Sequence, residues 1–134
     1  MTMKIRRKSK SKYGNRKIVT IDGQKFDSKK EKARYDELVQ LEKEGVISNL
    51  KRQVHFELLP AVYEDVKIQL KRKIKEERRC IFRATEYIAD FTYELDGEDV
   101  VEDVKASAYF QDPVYKIKKK LMYCIHNIKI KEVY

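Results

Sequence analysis

The sequence predicts an α/β domain in which one sheet is covered by two helices, and three patterns predict it. Cap signals with helical periodicity mark residues 28–44 and again the stretch from Asp112-Pro113 onward. Two alternating runs of β-branched and aromatic residues flank Asp96-Gly97, the strongest short-range signal for a hairpin. With a further strand on either side, the order becomes helix, strand, strand, strand, helix, strand. A chain of 134 residues is enough for one modest core, and no internal repeat divides it.

Residues 1–16 are rich in Lys, Arg and Ser with no apolar period, and are expected to form a basic flexible arm on a single domain spanning 17–134. Lys17 to Phe26 alternates weakly about Asp22-Gly23, as a small hairpin would. Ser28-Lys29-Lys30-Glu31 is a capping-box pattern opening a helix that Gly45 ends. At 100° per residue Tyr35, Leu38 and Glu42 fall within roughly 40° of Glu31, with Arg34, Val39 and Leu41 at the margins. Glu31 therefore either extends the inward stripe or caps the Ser28 backbone amide, while Glu37 and Glu44 lie off the stripe in water.

Gln53 to Leu59 alternates Val54, Phe56 and Leu58 against His55 and Glu57, a strand stopped at Pro60 with His55 exposed. Residues 61–79 satisfy both strand and helix spacing; a basic protruding hairpin is expected there, carrying Lys71, Arg72 and Lys73. Thr85–Leu95 and Glu98–Ala106 are the two strands about Asp96-Gly97, with Tyr87, Ala89, Phe91, Tyr93 and Leu95 on one apolar face. Asp112 as cap and Pro113 at the first position begin a second helix whose buried stripe is expected to be Ile117, Leu121, Cys124 and Ile125. Residues 127–134 alternate as a last strand.

The net charge of +9 is concentrated in two segments. Lys4, Arg6, Arg7, Lys8, Lys10, Lys12, Arg16 and Lys17 stand without an acid in the first 17 residues, and a second basic concentration lies between Lys67 and Arg79. Such arms suit a polyanion, through phosphate contact and counterion release. No apolar run reaches the length of a membrane span and the first residues lack the apolar centre of a secretory signal, so a cytoplasmic protein without membrane attachment is expected. Cys80 and Cys124 have no metal-ligand spacing and are expected to be buried thiols.

A two-residue loop at Asp96-Gly97 places Leu95 opposite Glu98, Thr92 opposite Val101, and Asp90 opposite Asp103. Two facing carboxylates about 5 Å apart destabilise a sheet unless a positive charge lies between them. Lys105 shares the face of Asp103, while Glu102 and Val104 point away; a bulge would change this, leaving both acids in water or bringing Glu102 inward. An acidic pair without convergent His or Cys is an all-oxygen site, suited to Mg²⁺ or Mn²⁺ rather than zinc. A metal so held hydrolyses phosphodiesters by polarising the phosphoryl oxygen and activating water, with Lys105 neutralising developing charge or orienting the attacking water. No Gly-x-Ser-x-Gly and no phosphate-cradling Gly loop offers another chemistry.

Asp90 followed by Asp103-Val104-Lys105, with Glu31 on a preceding helix and a helix after the lysine, resembles the PD-(D/E)XK nuclease superfamily. Lys12-Tyr13-Gly14-Asn15, Phe26-Asp27-Ser28, Tyr87-Ile88-Ala89-Asp90-Phe91 and Val101-Glu102-Asp103-Val104-Lys105 further resemble a small phage and prophage family of such proteins, over nearly the whole chain. The resemblance implies a restriction-endonuclease-like core, αβββαβ, with a mixed sheet flanked by two helices. It implies that Asp90, Asp103 and the Val104 carbonyl bind the metal, that Glu31 joins them from its helix, and that Lys105 is the catalytic lysine. Lys118 would face phosphate, with Lys116, Arg6, Arg7, Lys71, Arg72 and Lys73 as further nucleic-acid contacts. Ala89 stands where the signature has proline, and the second acid is Asp with Glu102 beside it. The expected function is a Mg²⁺-dependent DNA endonuclease, working as a homodimer on branched DNA such as a Holliday junction in phage replication or recombination. RNA remains an alternative substrate. A non-catalytic nucleic-acid-binding module or a phage replication accessory protein is the alternative function.

Overall fold

The computed structural model describes residues 17–20, 22–109 and 112–134. The expected arm, with Arg6 and Arg7, lies outside the described residues. A short pair, β1 (Ile18–Val19) and β2 (Lys25–Phe26), precedes helix α1 (Lys29–Lys43). Strand β3 (Ser48–Leu59) follows, then a hairpin of β4 (Val62–Gln69) and β5 (Ile74–Phe82), then β6 (Thr85–Leu95), β7 (Glu98–Val104), helix α2 (Pro113–His126) and β8 (Lys131–Val133). Strands β3, β6, β7 and β8 form one sheet in that order, antiparallel except for the parallel β7–β8 pair. The fold is thus α/β, with a mixed four-stranded sheet and two helices.

Local chemistry sets the element ends. Ser28 Oγ accepts the Glu31 amide at the start of α1, and Gly45, at φ 78°, follows its end. Asp112 Oδ1 accepts the Val114 amide at 2.8 Å with Pro113 in the first turn of α2. Asp96 and Gly97, at φ 52° and 78°, make the tight turn between β6 and β7, and the ladder runs from Leu95–Glu98 to Phe91–Glu102 in the expected register.

Each face of the sheet carries its own core. Leu38 of α1 packs with Ile47, Phe91 and Tyr93; Tyr115 and Met122 of α2 pack with Leu58, Tyr87, Ala89, Val101 and Ile130. These memberships correct the single apolar face expected for β6. Strands β3 and β6 change face together at Gln53 and Asp90: Arg52, paired with Phe91, lies 3.9 Å from the Phe26 ring centroid on the α1 side, whereas Ala89, paired with Val54, joins the α2 core. Gln53 at φ 51° is the pivot, a left-handed conformation costing a non-glycine residue about 1–2 kcal/mol.

Helix α2 requires a second correction. It buries Tyr115 and Met122, with Leu121 alone of the expected stripe packed against the same core, leaving Ile117 at 61 % and Ile125 at 48 % exposure and Cys124 also in water. The core stripe is offset from the expected one by roughly a third of a turn, and the wider aromatic and thioether side chains fill the space over the sheet. Cys80 is exposed as well, so both cysteines are free surface thiols rather than buried ones. The last strand is shorter than expected: Asn127, at φ 56°, closes α2 and Ile130 reaches the core before pairing begins.

Among the described residues the β4–β5 hairpin pairs only with itself, an independent two-stranded sheet with its turn at residues 70–73. Opposite charges face each other across it at Glu64–Arg79, Asp65–Arg78 and Lys67–Glu76. Such pairs support a solvated ribbon without a core.

Candidate active site

The strands β6 and β7 part where their ladder would next bring Asp90 opposite Asp103. Asp90 Oδ2 accepts the Val104 amide at 2.8 Å, so a side chain takes over from the backbone ladder. Val104 meanwhile pairs with Val133 of β8, which draws β7 away from β6. Burial is the main cause that pushes the Asp90 carboxyl up to about 7, and the negative charges of Asp103 and Glu31 add to it against the Val104 amide and Lys105.

Asp103 is 7 % exposed and both of its oxygens are engaged. Tyr87 Oη donates to Oδ2 at 2.7 Å, and Lys105 Nζ lies 2.9 Å from Oδ1. The same ammonium sits 3.1 Å from the centroid of the Tyr115 ring, whose negative face holds a cation. A positive charge therefore does stand beside the acidic pair: it is Lys105, fixed by one acid and one aromatic ring. Burial and the neighbouring Asp103 push the Tyr87 and Tyr115 hydroxyls far up, so both stay protonated.

Glu31 is 4 % exposed at the first turn of α1. It satisfies both sequence readings at once, pointing inward while Oε2 accepts a backbone amide, though that of Asp27 at 3.1 Å rather than Ser28. Its other oxygen accepts from Gln53 Nε2 at 3.3 Å and lies 4.0 Å from Arg52. Burial raises its carboxyl above the usual range. Gln53 thus links Glu31 to the point where β3 and β6 change face.

Glu102 belongs elsewhere. It points to α1, fully buried, where Arg34 Nε donates to Oε2 at 2.9 Å and Nη2 to Oε1 at 2.6 Å, with Tyr93 Oη as a third donor. Although burial pushes the other way, these donors hold its carboxyl below the usual range. Its oxygens are committed to the interface between α1 and the sheet, so the acid beside Asp90 and Lys105 is Asp103.

The basic residues divide among three places. Lys118 is half-buried on the rim of an open depression of about 490 Å³ with Tyr87, Ile88, Asp112, Val114 and Tyr115, beside the acidic cluster. Lys116 lines a different depression on another side of α2. Lys71, Arg72 and Lys73 are exposed at the turn of the β4–β5 hairpin.

Sequence reasoning missed Tyr87, which holds Asp103 through its hydroxyl, and Tyr115, which holds Lys105 through its ring face, because alternation and helical phase can mark an aromatic residue as core without showing which polar group meets it. Among the described residues no three His, Cys, Asp or Glu side chains are close enough to hold a metal ion by themselves. The donor set that is present fits a hard cation nonetheless. Among the described residues one Asp90 oxygen has no hydrogen-bond partner, Asp103 is the like charge that acts on it most strongly, and Mg²⁺ ordinarily takes one or two carboxylates with water and phosphate completing its shell. No described helix is long and apolar enough to cross a membrane.

A family model described as protein of unknown function, DUF1064, matches residues 10–133. No curated protein and no solved structure matches the chain.

Proposed function

We propose that the chain, which belongs to the DUF1064 family of proteins of unknown function, is a metal-dependent endonuclease that hydrolyses phosphodiester bonds in DNA. One observation carries the reading: Asp90, Asp103 and Lys105, with Glu31 contributing from α1, gather where two strands part and an unpaired backbone edge opens. The order β3-β6-β7-β8 with β8 parallel, and helices before the first and last of these strands, supports a restriction-endonuclease-like core with the hairpin 62–82 inserted.

Asp90, Asp103 and the Val104 carbonyl would hold Mg²⁺ or Mn²⁺. When bound, the metal polarises a phosphoryl oxygen and lowers the pKa of its water. The chain's own residues do the rest. Asp90 is kept in place by the Val104 amide, and Tyr87 fixes the rotamer of Asp103. Lys105, whose ammonium lies 2.9 Å from Asp103 Oδ1, would stabilise the charge that develops on the phosphate. Lys118 on the neighbouring rim binds a flanking phosphate, and the hairpin turn supplies contacts farther along the duplex.

A second reading has an observation of its own. Both oxygens of Asp103 are satisfied within the protein, as in a structural ion pair, which suits a nucleic-acid-binding module without hydrolysis. Incubating wild type and Asp90→Ala with duplex, single-stranded and four-way-junction DNA, with and without Mg²⁺, separates the two. The endonuclease cleaves only as wild type with metal. Equal products from both proteins, or salt-sensitive binding with no product, would remove the proposed activity.

A further inference from the structure

Helix α2 borders a second basic feature that the acidic cluster does not use. Lys116, Lys119, Lys120, Tyr123 and Lys129 surround an open depression of about 450 Å³ floored by buried Ile130. Lys119 is neutralised by Glu132, but among the described residues Lys116, Lys120 and Lys129 have no ion-pair partner. Converging ammonium groups repel one another until an anion enters. Tyr123 is 59 % exposed on the wall, an aromatic face with little protein packed against it. Helical phase explains the arrangement: residues 116, 119, 120 and 123 share one side of α2, roughly a quarter turn from the core stripe of Tyr115 and Met122.

We propose that this depression is a binding site for single-stranded DNA, with phosphates on Lys116, Lys120 and Lys129 and a base stacked on Tyr123. Unpaired lysines and an exposed ring are the two components of sequence-tolerant single-strand binding, an electrostatic groove and a stacking platform. A duplex shields its base faces and would gain only the lysines. The Lys119–Glu132 pair forms the border toward the acidic cluster, since Glu132 lies opposite Asp103 in the β7–β8 pairing. A strand leaving the depression across β8 therefore reaches Asp103. The inference rests on the endonuclease reading and narrows its substrate to DNA with a single-stranded segment next to a duplex, such as a flap.

Anisotropy titrations of the full chain in metal-free buffer test it, using labelled oligo-dT, a blunt duplex and the same duplex carrying a flap. Wild type is expected to bind the flap duplex more tightly than the blunt one. Tyr123→Ala should weaken oligo-dT and flap binding by about five- to tenfold while leaving the blunt duplex unchanged, and Tyr123→Phe should retain wild-type binding. Lys120→Glu with Lys129→Glu should abolish oligo-dT binding. Oligo-dT bound equally by wild type and Tyr123→Ala, or equal weakening on blunt duplex and oligo-dT, overturns the proposal. If wild type binds blunt duplex but no oligo-dT, only the depression fails; if it binds no nucleic acid, the endonuclease reading fails with it.

Discussion

Asp90 accepts the amide hydrogen of Val104 at 2.8 Å where the β6–β7 ladder has ended, so one side chain both replaces a backbone hydrogen bond and positions a buried acid. Asn in its place keeps an acceptor for that amide but removes the charge. Because the Asp90 carboxyl is raised from its ordinary 3.8 to about 7, its contribution to stability is fully present below 3.8 and is lost as pH rises from there through 7. Asp90→Asn should therefore melt higher than metal-free wild type at pH 8, by roughly 5 °C, and the gap should shrink to less than half at pH 5. Its Mg²⁺-dependent cleavage should fall by at least about a hundredfold. Thermal melts at both pH values, beside a cleavage assay, check both.

Tyr87→Phe takes away the hydroxyl that donates to Asp103 Oδ2 and changes little else in a buried ring. The loss should be about 1–2 kcal/mol in urea unfolding, because Lys105 still satisfies the other oxygen. Lys105→Ala leaves the Asp103 charge with Tyr87 alone and should cost more stability. It should also abolish cleavage, whereas Tyr87→Phe should only reduce it. The opposite ranking in activity would mean that the lysine is a structural counter-ion.

The sequence made the turns and caps legible because each has a local cause. Ser28, Asp112-Pro113 and Asp96-Gly97 act on amides or φ angles within four residues, and the Asp96-Gly97 turn alone set the register down to Phe91–Glu102. The change of face at Asp90 has no such mark. It is pivoted by Gln53, a non-glycine at φ 51° on another strand, and is held by a tertiary hydrogen bond to Glu31. Periodicity marked one apolar stripe on α2, from Ile117 to Ile125, whereas the sheet takes Tyr115 and Met122, because helical phase does not weigh which side chains fill the space over the strands. Glu102 and Asp103, adjacent in sequence, were separable in principle by alternation; the arginine that settles Glu102 comes from α1, far away in the chain.

At the hairpin turn, Lys71, Arg72 and Lys73 are exposed on a separate two-stranded ribbon. Replacing all three with Glu should leave the melting temperature within about 2 °C, since surface changes away from packed groups contribute little. Duplex binding should weaken and its dependence on log salt should flatten by up to about three units, one for each phosphate that these side chains no longer neutralise. Titrations over a range of NaCl concentrations measure that slope. An unchanged slope would place the ribbon away from the DNA.

Arg34 and Glu102 join α1 to the sheet through two short hydrogen bonds at a fully buried carboxylate. Arg34→Ala leaves that charge without its main partner and should cost about 3 kcal/mol at neutral pH, the range for breaking a buried pair. The pH dependence then changes sign. In wild type the Glu102 carboxyl is held below its usual value of 4.5, so the pair's stability is present above that pH and lost as pH falls through the lowered value. In Arg34→Ala burial is opposed only by Tyr93 and Lys131, the carboxyl rises, and protonation on acidification relieves the variant. The two proteins should therefore converge in stability between pH 7 and pH 4, while Arg34→Ala/Glu102→Gln should recover part of the loss at pH 7. Urea unfolding of the four proteins of this cycle at both pH values measures the coupling, and a constant gap would mean that Arg34 acts through packing rather than charge.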